Sequence, residues 1–149
     1  MSESPESKVA KTPIHLWIAG GISLLWNAMG AMDYVMVEMK SEAYMSEFTP
    51  EQVDFVTSYP VWLVAAWAIA VWGGVLGSVL LLLRKDLAMS VFLVSWGGMA
   101  ITTFRNYVLS NGMEVFGSAF ELTFSAIIFL VALGLVFYAR AMQKRGILR

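Results

Sequence analysis

Ile101-Thr102-Thr103-Phe104-Arg105-Asn106-Tyr107 comes late in a segment, about 87–109, that is otherwise apolar enough to span a bilayer. An arginine at such a depth is expensive unless it meets a carboxylate, a polar cavity or the interface. Glu121 follows early in the next apolar segment. A turn at Ser110-Asn111-Gly112 would fold the two segments into an antiparallel helical hairpin, with Arg105 and Glu121 at similar depths. Asp33 and Glu38, at the end of the first apolar segment, fall near the same side of the membrane.

Outward from that stretch, the apolar residues gather in four blocks of about 14–37, 60–83, 87–109 and 115–139. Each is long enough, at about 1.5 Å per residue, to cross a hydrocarbon core of about 30 Å. Of the 149 residues, 58% are hydrophobic and 14% charged, too few charges to cover a soluble domain of this size. The remaining pieces are a polar lead over 1–13, an acidic loop over 38–58 and a basic tail over 140–149. The first block runs too long for a signal-peptide core and lacks a convincing cleavage site, so it reads as a retained helix. Short connections favour an all-α, up-down-up-down four-helix bundle, 14–139. Arg84-Lys85 and the tail collect the bases on one side, and the Glu38–Asp54 loop collects the acids on the other. The positive-inside rule then places both termini in the cytoplasm.

Local signals refine this frame. Helix 1 starts after Pro13, with His15 and Trp17 as interfacial anchors. Thr49-Pro50-Glu51-Gln52 is a helix start, with Thr as cap, Pro at the first position and Gln at the third. Val53, Phe55, Val56 and Tyr59 would let that short helix rest on the bundle mouth, as a lid or as a plain interfacial connector. Gly73 and Gly77, or Gly20 and Gly21, are candidate surfaces for close approach of helices 1 and 2, and the Gly73/Gly77 spacing also suits dimerisation. Trp96-Gly97-Gly98 marks a close-packing or bending point.

The candidate site is Asn27, Asp33, Tyr34, Thr102, Arg105, Asn106 and Glu121, all in the half of the bundle towards the acidic loop. Steps of three and four put Asn27 and Gly30 on one face with Asp33 or Tyr34. One reading is structural: Arg105 pairs with Glu121 or Asp33, or snorkels outward, and Asn27 bonds two helices together. The other is a cavity that receives a polar ligand, an ion or a lipid headgroup, with Asn27 as its floor. The number of polar groups at one depth exceeds what one salt bridge requires.

Several classes lack their residues. Without cysteine there is no disulfide, thiol nucleophile or thiolate metal site. The single histidine, His15, lies at the opposite end from the carboxylates, so neither a bis-histidine haem nor a His-rich zinc site can form within one chain. Met29, Met32, Met36 and Met39 form a near-helical series that reads as packing rather than as a soft-metal groove. Asp33 with Glu121 lacks the rest of a catalytic framework, no cofactor is implied, and no basic aromatic surface points to nucleic acid.

Trp26-Asn27-x-x-Gly30-Ala31-x-Asp33-Tyr34, Phe48-Thr49-Pro50-Glu51-Gln52, Pro60-Val61-Trp62, the Ala66–Gly73 run and Leu109-Ser110-Asn111-Gly112 resemble a family of small four-helix bacterial inner-membrane proteins. Members often carry the label "sugar transporter". The resemblance implies a multi-pass protein of the bacterial inner membrane and slightly favours transport. The function expected is binding or transport of a small polar solute or lipid headgroup at an outward-facing polar site, surrounded by membrane lipid. A homodimer would help enclose such a site. The alternative is a non-catalytic accessory or assembly subunit that uses the exposed faces of helices 2 and 4 in a larger membrane complex, and a small lipid-modifying enzyme comes last.

Overall fold

A computed structural model describes residues 12–110, 112–115 and 117–149. It is an all-α, multi-pass membrane protein. Among the described residues, four helical spans are long and apolar enough to cross a membrane: Ile14–Glu38, Val61–Leu82, Leu87–Leu109 and Ala119–Lys144. The full element order is α1 (Ile14–Glu38), α2 (Glu42–Met45), α3 (Pro50–Thr57), α4 (Val61–Leu82), α5 (Leu87–Phe104), a π-helical turn (Arg105–Leu109), α6 (Gly112–Val115) and α7 (Ala119–Lys144). The polar lead lies outside the described residues up to position 11, as does Asn111 of the Ser110-Asn111-Gly112 turn.

Helix ends follow from backbone chemistry. Extended Pro13 and Pro60 precede α1 and α4. Thr49 Oγ1 accepts the Gln52 N–H while Gln52 Oε1 accepts the Thr49 N–H, both at 3.2 Å, a complete capping box for α3. Three helices stop at a left-handed residue: Lys40 (φ 53) after α1, Arg84 (φ 57) after α4 and Gly146 (φ 74) after α7. At each, the same pair of bonds reaches back into the last turn. Ser41 N–H reaches Met36 O at 3.1 Å, Lys85 N–H reaches Leu80 O at 2.9 Å and Ile147 N–H reaches Met142 O at 3.0 Å. These are Schellman closures, and two of the three do without glycine.

Close helix approach is set by small residues. A Cβ on Gly98 would stand 2.7 Å from Ala66 O, so α4 and α5 touch backbone to backbone. Gly73 faces Ser95, and Gly77 faces the Phe92 ring, both on α5. The Gly73/Gly77 pair therefore packs α4 on α5, not on helix 1. The α1–α4 contact uses Gly20, against Leu82, and Gly74, whose missing side chain admits Asn27. Neither Gly21 nor Gly97 has a neighbour within 4 Å of an added Cβ. Residue pairs run in opposite directions along neighbouring helices: Gly20 with Leu82 and Tyr34 with Trp67, Gly77 with Phe92 and Gly98 with Ala66, Trp96 with Phe129 and Tyr107 with Ser125. α1 meets α7 through long side chains, His15 on Tyr138 and Trp26 on Phe124.

The buried apolar cluster sits at the basic end. Leu16, Leu81, Ala88, Phe92, Val136, Ala139 and Met142 join Ile147 and Leu148 there. The basic tail is thus partly core: α7 continues to Lys144, and the residues after Gly146 fold back. The acidic end is built differently, from short helices and polar bonds.

Candidate functional site

The site region begins where α5 stops being α-helical. From Arg105 the chain makes one π-helical turn, Arg105–Leu109. Such wide turns redirect side chains and are frequent at functional sites. The irregularity falls on the polar cluster itself rather than at Trp96-Gly97-Gly98, which stays in regular helix.

Arg105 is walled by aromatic rings. Its guanidinium carbon lies 5.7 Å from the Phe55 ring centroid and 5.4 Å from that of Tyr59. Among the described residues, no carboxylate oxygen lies within 4.0 Å of it. The expected pairing with Glu121 or Asp33 is therefore corrected. Both carboxylates are engaged by neutral donors instead. Asp33 Oδ1 accepts from the Tyr44 hydroxyl, and Glu121 Oε1 accepts from Gln52 Nε2 at 2.9 Å. The physical reason for the second is where α7 begins. It starts at Ala119 rather than near 115, with Ser118 Oγ capping the Glu121 N–H at 3.2 Å. Glu121 consequently occupies the third residue of its helix, a position that favours an acid.

The other candidates separate into two groups. Asn106 Nδ2 donates to the Tyr59 hydroxyl at 2.7 Å. Tyr34 and Tyr59 both stack edge-on against Trp67, with centroids at 4.9 and 5.8 Å. Arg105, Asn106 and Tyr34 are thereby gathered around Tyr59 and Trp67. Thr102 is not part of this set, because its hydroxyl is spent on its own helix, bonding Gly98 O at 2.9 Å. Asn27 lies against α4, donating to Ser78 Oγ at 3.1 Å, while Ser78 in turn donates to Gly74 O at 2.8 Å. This is the interhelical bond between α1 and α4 that the structural reading expects of Asn27.

Four residues in this region lie outside the sequence-derived set. Tyr59 is its hub, and burial pushes its phenol up to about 12 against the lowering influence of Asn106 and Arg105. It therefore stays protonated near neutral pH. Phe55, in the buried face of α3, lies against Arg105. The apolar spacing of Phe55 and Tyr59 is the signal that marks both. Gln52 does two jobs, since Nε2 bonds Val115 O (3.2 Å) as well as Glu121. Its signal is the choice of Gln over Glu at the third helical position, because only the amide can both cap α3 and donate to a carboxylate. Tyr44, whose phenol is raised first by burial and then by Asp33, has no sequence signal.

A cavity of about 470 Å³ is lined by Glu51, Asp54, Phe55, Ser58, Glu114 and Val115. Its rim is acidic, and Phe55 is common to the cavity and to the Arg105 contact. Among the described residues, no group of three His, Cys, Asp or Glu has metal-binding geometry. Comparison of the chain with family models, curated proteins and solved structures returned no match.

Proposed function

We propose that this is a non-catalytic protein of the bacterial inner membrane that binds or transports a small polar solute or a lipid headgroup from the outer side. Its four spans form an up-down-up-down bundle with both termini cytoplasmic, and α3 covers the outward mouth. The observation that carries the reading is Arg105, a cation in a membrane-spanning helix, against which an aromatic wall stands where a counter-ion is expected. Such a residue is costly to hold without a task. The acidic cavity that shares Phe55 with the Arg105 contact suits a solute that also carries positive charge, so amines and zwitterions belong in the search beside anions.

The test is a thermal-shift screen of sugars, amines, organic acids and lipids on the detergent-solubilised protein, with Arg105→Met and Arg105→Met/Glu121→Gln measured alongside. A ligand that stabilises the native chain and fails to stabilise the folded variants supports the site. No ligand-dependent shift, with full complementation of a deletion strain by the double variant, would sink it.

A second reading, an accessory subunit of a larger membrane complex, draws on the lipid-facing surface. α7 is the least buried of the four spans. A groove of about 460 Å³ runs between α4 and α5, lined by Ile69, Trp72, Gly73, Leu76, Leu87, Ser90, Val91 and Val94. Recovery of the chain in a defined larger complex from mild detergent, lost on Trp72→Ala in a folded variant, would bring this reading forward.

A further inference from the structure

The end of the molecule away from Arg105 gathers positive charge. Arg84 and Lys85 lie in the α4–α5 turn, Arg140, Lys144 and Arg145 at the end of α7, and Arg149 beyond it; all six are exposed. Asp86 is the sole acidic side chain within 84–86 and 140–149. Along the chain Arg149 is remote from Arg84, but folding closes the gap. Left-handed Gly146 turns the chain back, and Ile147 and Leu148 bury in the core. The Arg149 N–H then bonds Arg84 O at 2.9 Å, and the Asp86 N–H bonds Arg149 O at 3.1 Å. Backbone bonds thus hold Arg149 beside the Arg84-Lys85 turn. Six cations against one acidic side chain leave this end with an excess of positive charge that attracts anions.

The same cluster is flanked by apolar surface. Arg84 Nη1 donates to Thr12 Oγ1 at 3.0 Å, and its guanidinium lies 6.0 Å from the centroid of the Trp17 ring. Trp17, Leu83 and Leu87 are all exposed. Tryptophan beside arginine at the end of an apolar span is the composition of a bilayer interface. A ligand that answers both features is anionic at one end and apolar at the other. We propose that Arg84, Lys85, Arg145 and Arg149 form a docking site for the headgroup of an anionic phospholipid, whose acyl chains run along Trp17, Leu83 and Leu87.

The probes are phosphatidylglycerol and phosphatidylcholine, compared at equal concentration on the detergent-solubilised full chain by native mass spectrometry and thermal unfolding. Three variants are measured beside it. Arg84→Asn removes the cation while keeping a residue that tolerates the left-handed backbone. Arg145→Gln/Arg149→Gln changes exposed side chains only, so it reports even where Arg84→Asn fails to fold. Arg105→Met serves as the control at the other end. The expected result is a preference for phosphatidylglycerol that falls roughly fivefold per neutralised cation and survives Arg105→Met. Equal retention of the two lipids, a preference that persists in both basic-end variants, or one that follows Arg105 would overturn the proposal. So would complete displacement by inorganic phosphate at matched concentration, which would identify a soluble phosphate as the ligand.

Discussion

Two adjacent glycines on α5 should respond to the same substitution with different outcomes. A Cβ placed on Gly98 would stand 2.7 Å from Ala66 O and 3.1 Å from Ala70 N, both backbone atoms of α4. A Cβ placed on Gly97 would meet nothing within 4 Å. Backbone atoms of a packed helix cannot step aside as the tip of a side chain can, so in Gly98→Ala the helices must separate by roughly half an ångström or more. Overpacking of this kind costs about 1–3 kcal/mol. The same contact holds Ser95 Oγ against Ala70 O at 2.5 Å, and its loosening adds up to about 1 kcal/mol. Alanine also favours the helix by about 1 kcal/mol over glycine. That gain is common to both variants and cancels when they are compared. Gly98→Ala should therefore be about 1–4 kcal/mol less stable than Gly97→Ala. Equilibrium unfolding in a bilayer mimic, by denaturing-detergent titration or steric trapping, measures the difference directly. If the two variants agree within about 0.5 kcal/mol, the ordinary scatter of surface substitutions, the α4–α5 backbone contact is not what holds this pair together.

Gln52→Glu keeps the capping box but sets a carboxylate against Glu121. A loss of about 2 kcal/mol in thermal unfolding is expected, and an unchanged midpoint would count against the Gln52–Glu121 contact. Lys40→Gly relieves a left-handed non-glycine residue and should raise stability by up to about 1 kcal/mol, read from the unfolding midpoint; no gain would show that the side chain compensates elsewhere. Because Arg105 faces rings rather than a carboxylate, Arg105→Met and Glu121→Gln should be additive within about 0.5 kcal/mol, and a larger coupling in the double-mutant cycle would restore the ion pair. For the orientation, reporter fusions after Leu83 and Arg149 should both report cytoplasm and one at Glu47 the periplasm; the opposite pattern would invert the assignment.

The four spans and the acidic and basic ends were legible in the chain because they depend on local composition. A run such as Val61–Leu82 is too apolar to leave lipid whatever it packs against. The Thr49–Gln52 capping box was legible for the same reason, since all its partners lie within four residues. The start of α7 was less so. The apolar run extends back past 119, and only the Ser118 cap, a geometric choice, decides that Glu121 lies in the first turn.

Partners between helices were decided by tertiary structure alone. Gly73, Gly74 and Gly77 look alike in sequence, yet they face Ser95, Asn27 and Phe92 in turn. A helix presents a new face every residue, so rotation about the axis, set by the packing of all its neighbours, assigns each glycine its contact. The polar cluster obeyed the same rule. Sequence named the polar residues that a membrane cannot leave unanswered, Arg105 and Glu121 among them. It did not say that Phe55 and Tyr59 would stand against the one, or that Gln52 would answer the other, because those residues lie on α3 and the link after it, more than forty positions from their partners, and meet them only through tertiary packing. Ile147 and Leu148 read as part of a basic tail until Gly146 turns them into the core. Hydropathy is a property each residue carries with it, whereas a contact belongs to two residues and exists only once the fold has brought them together.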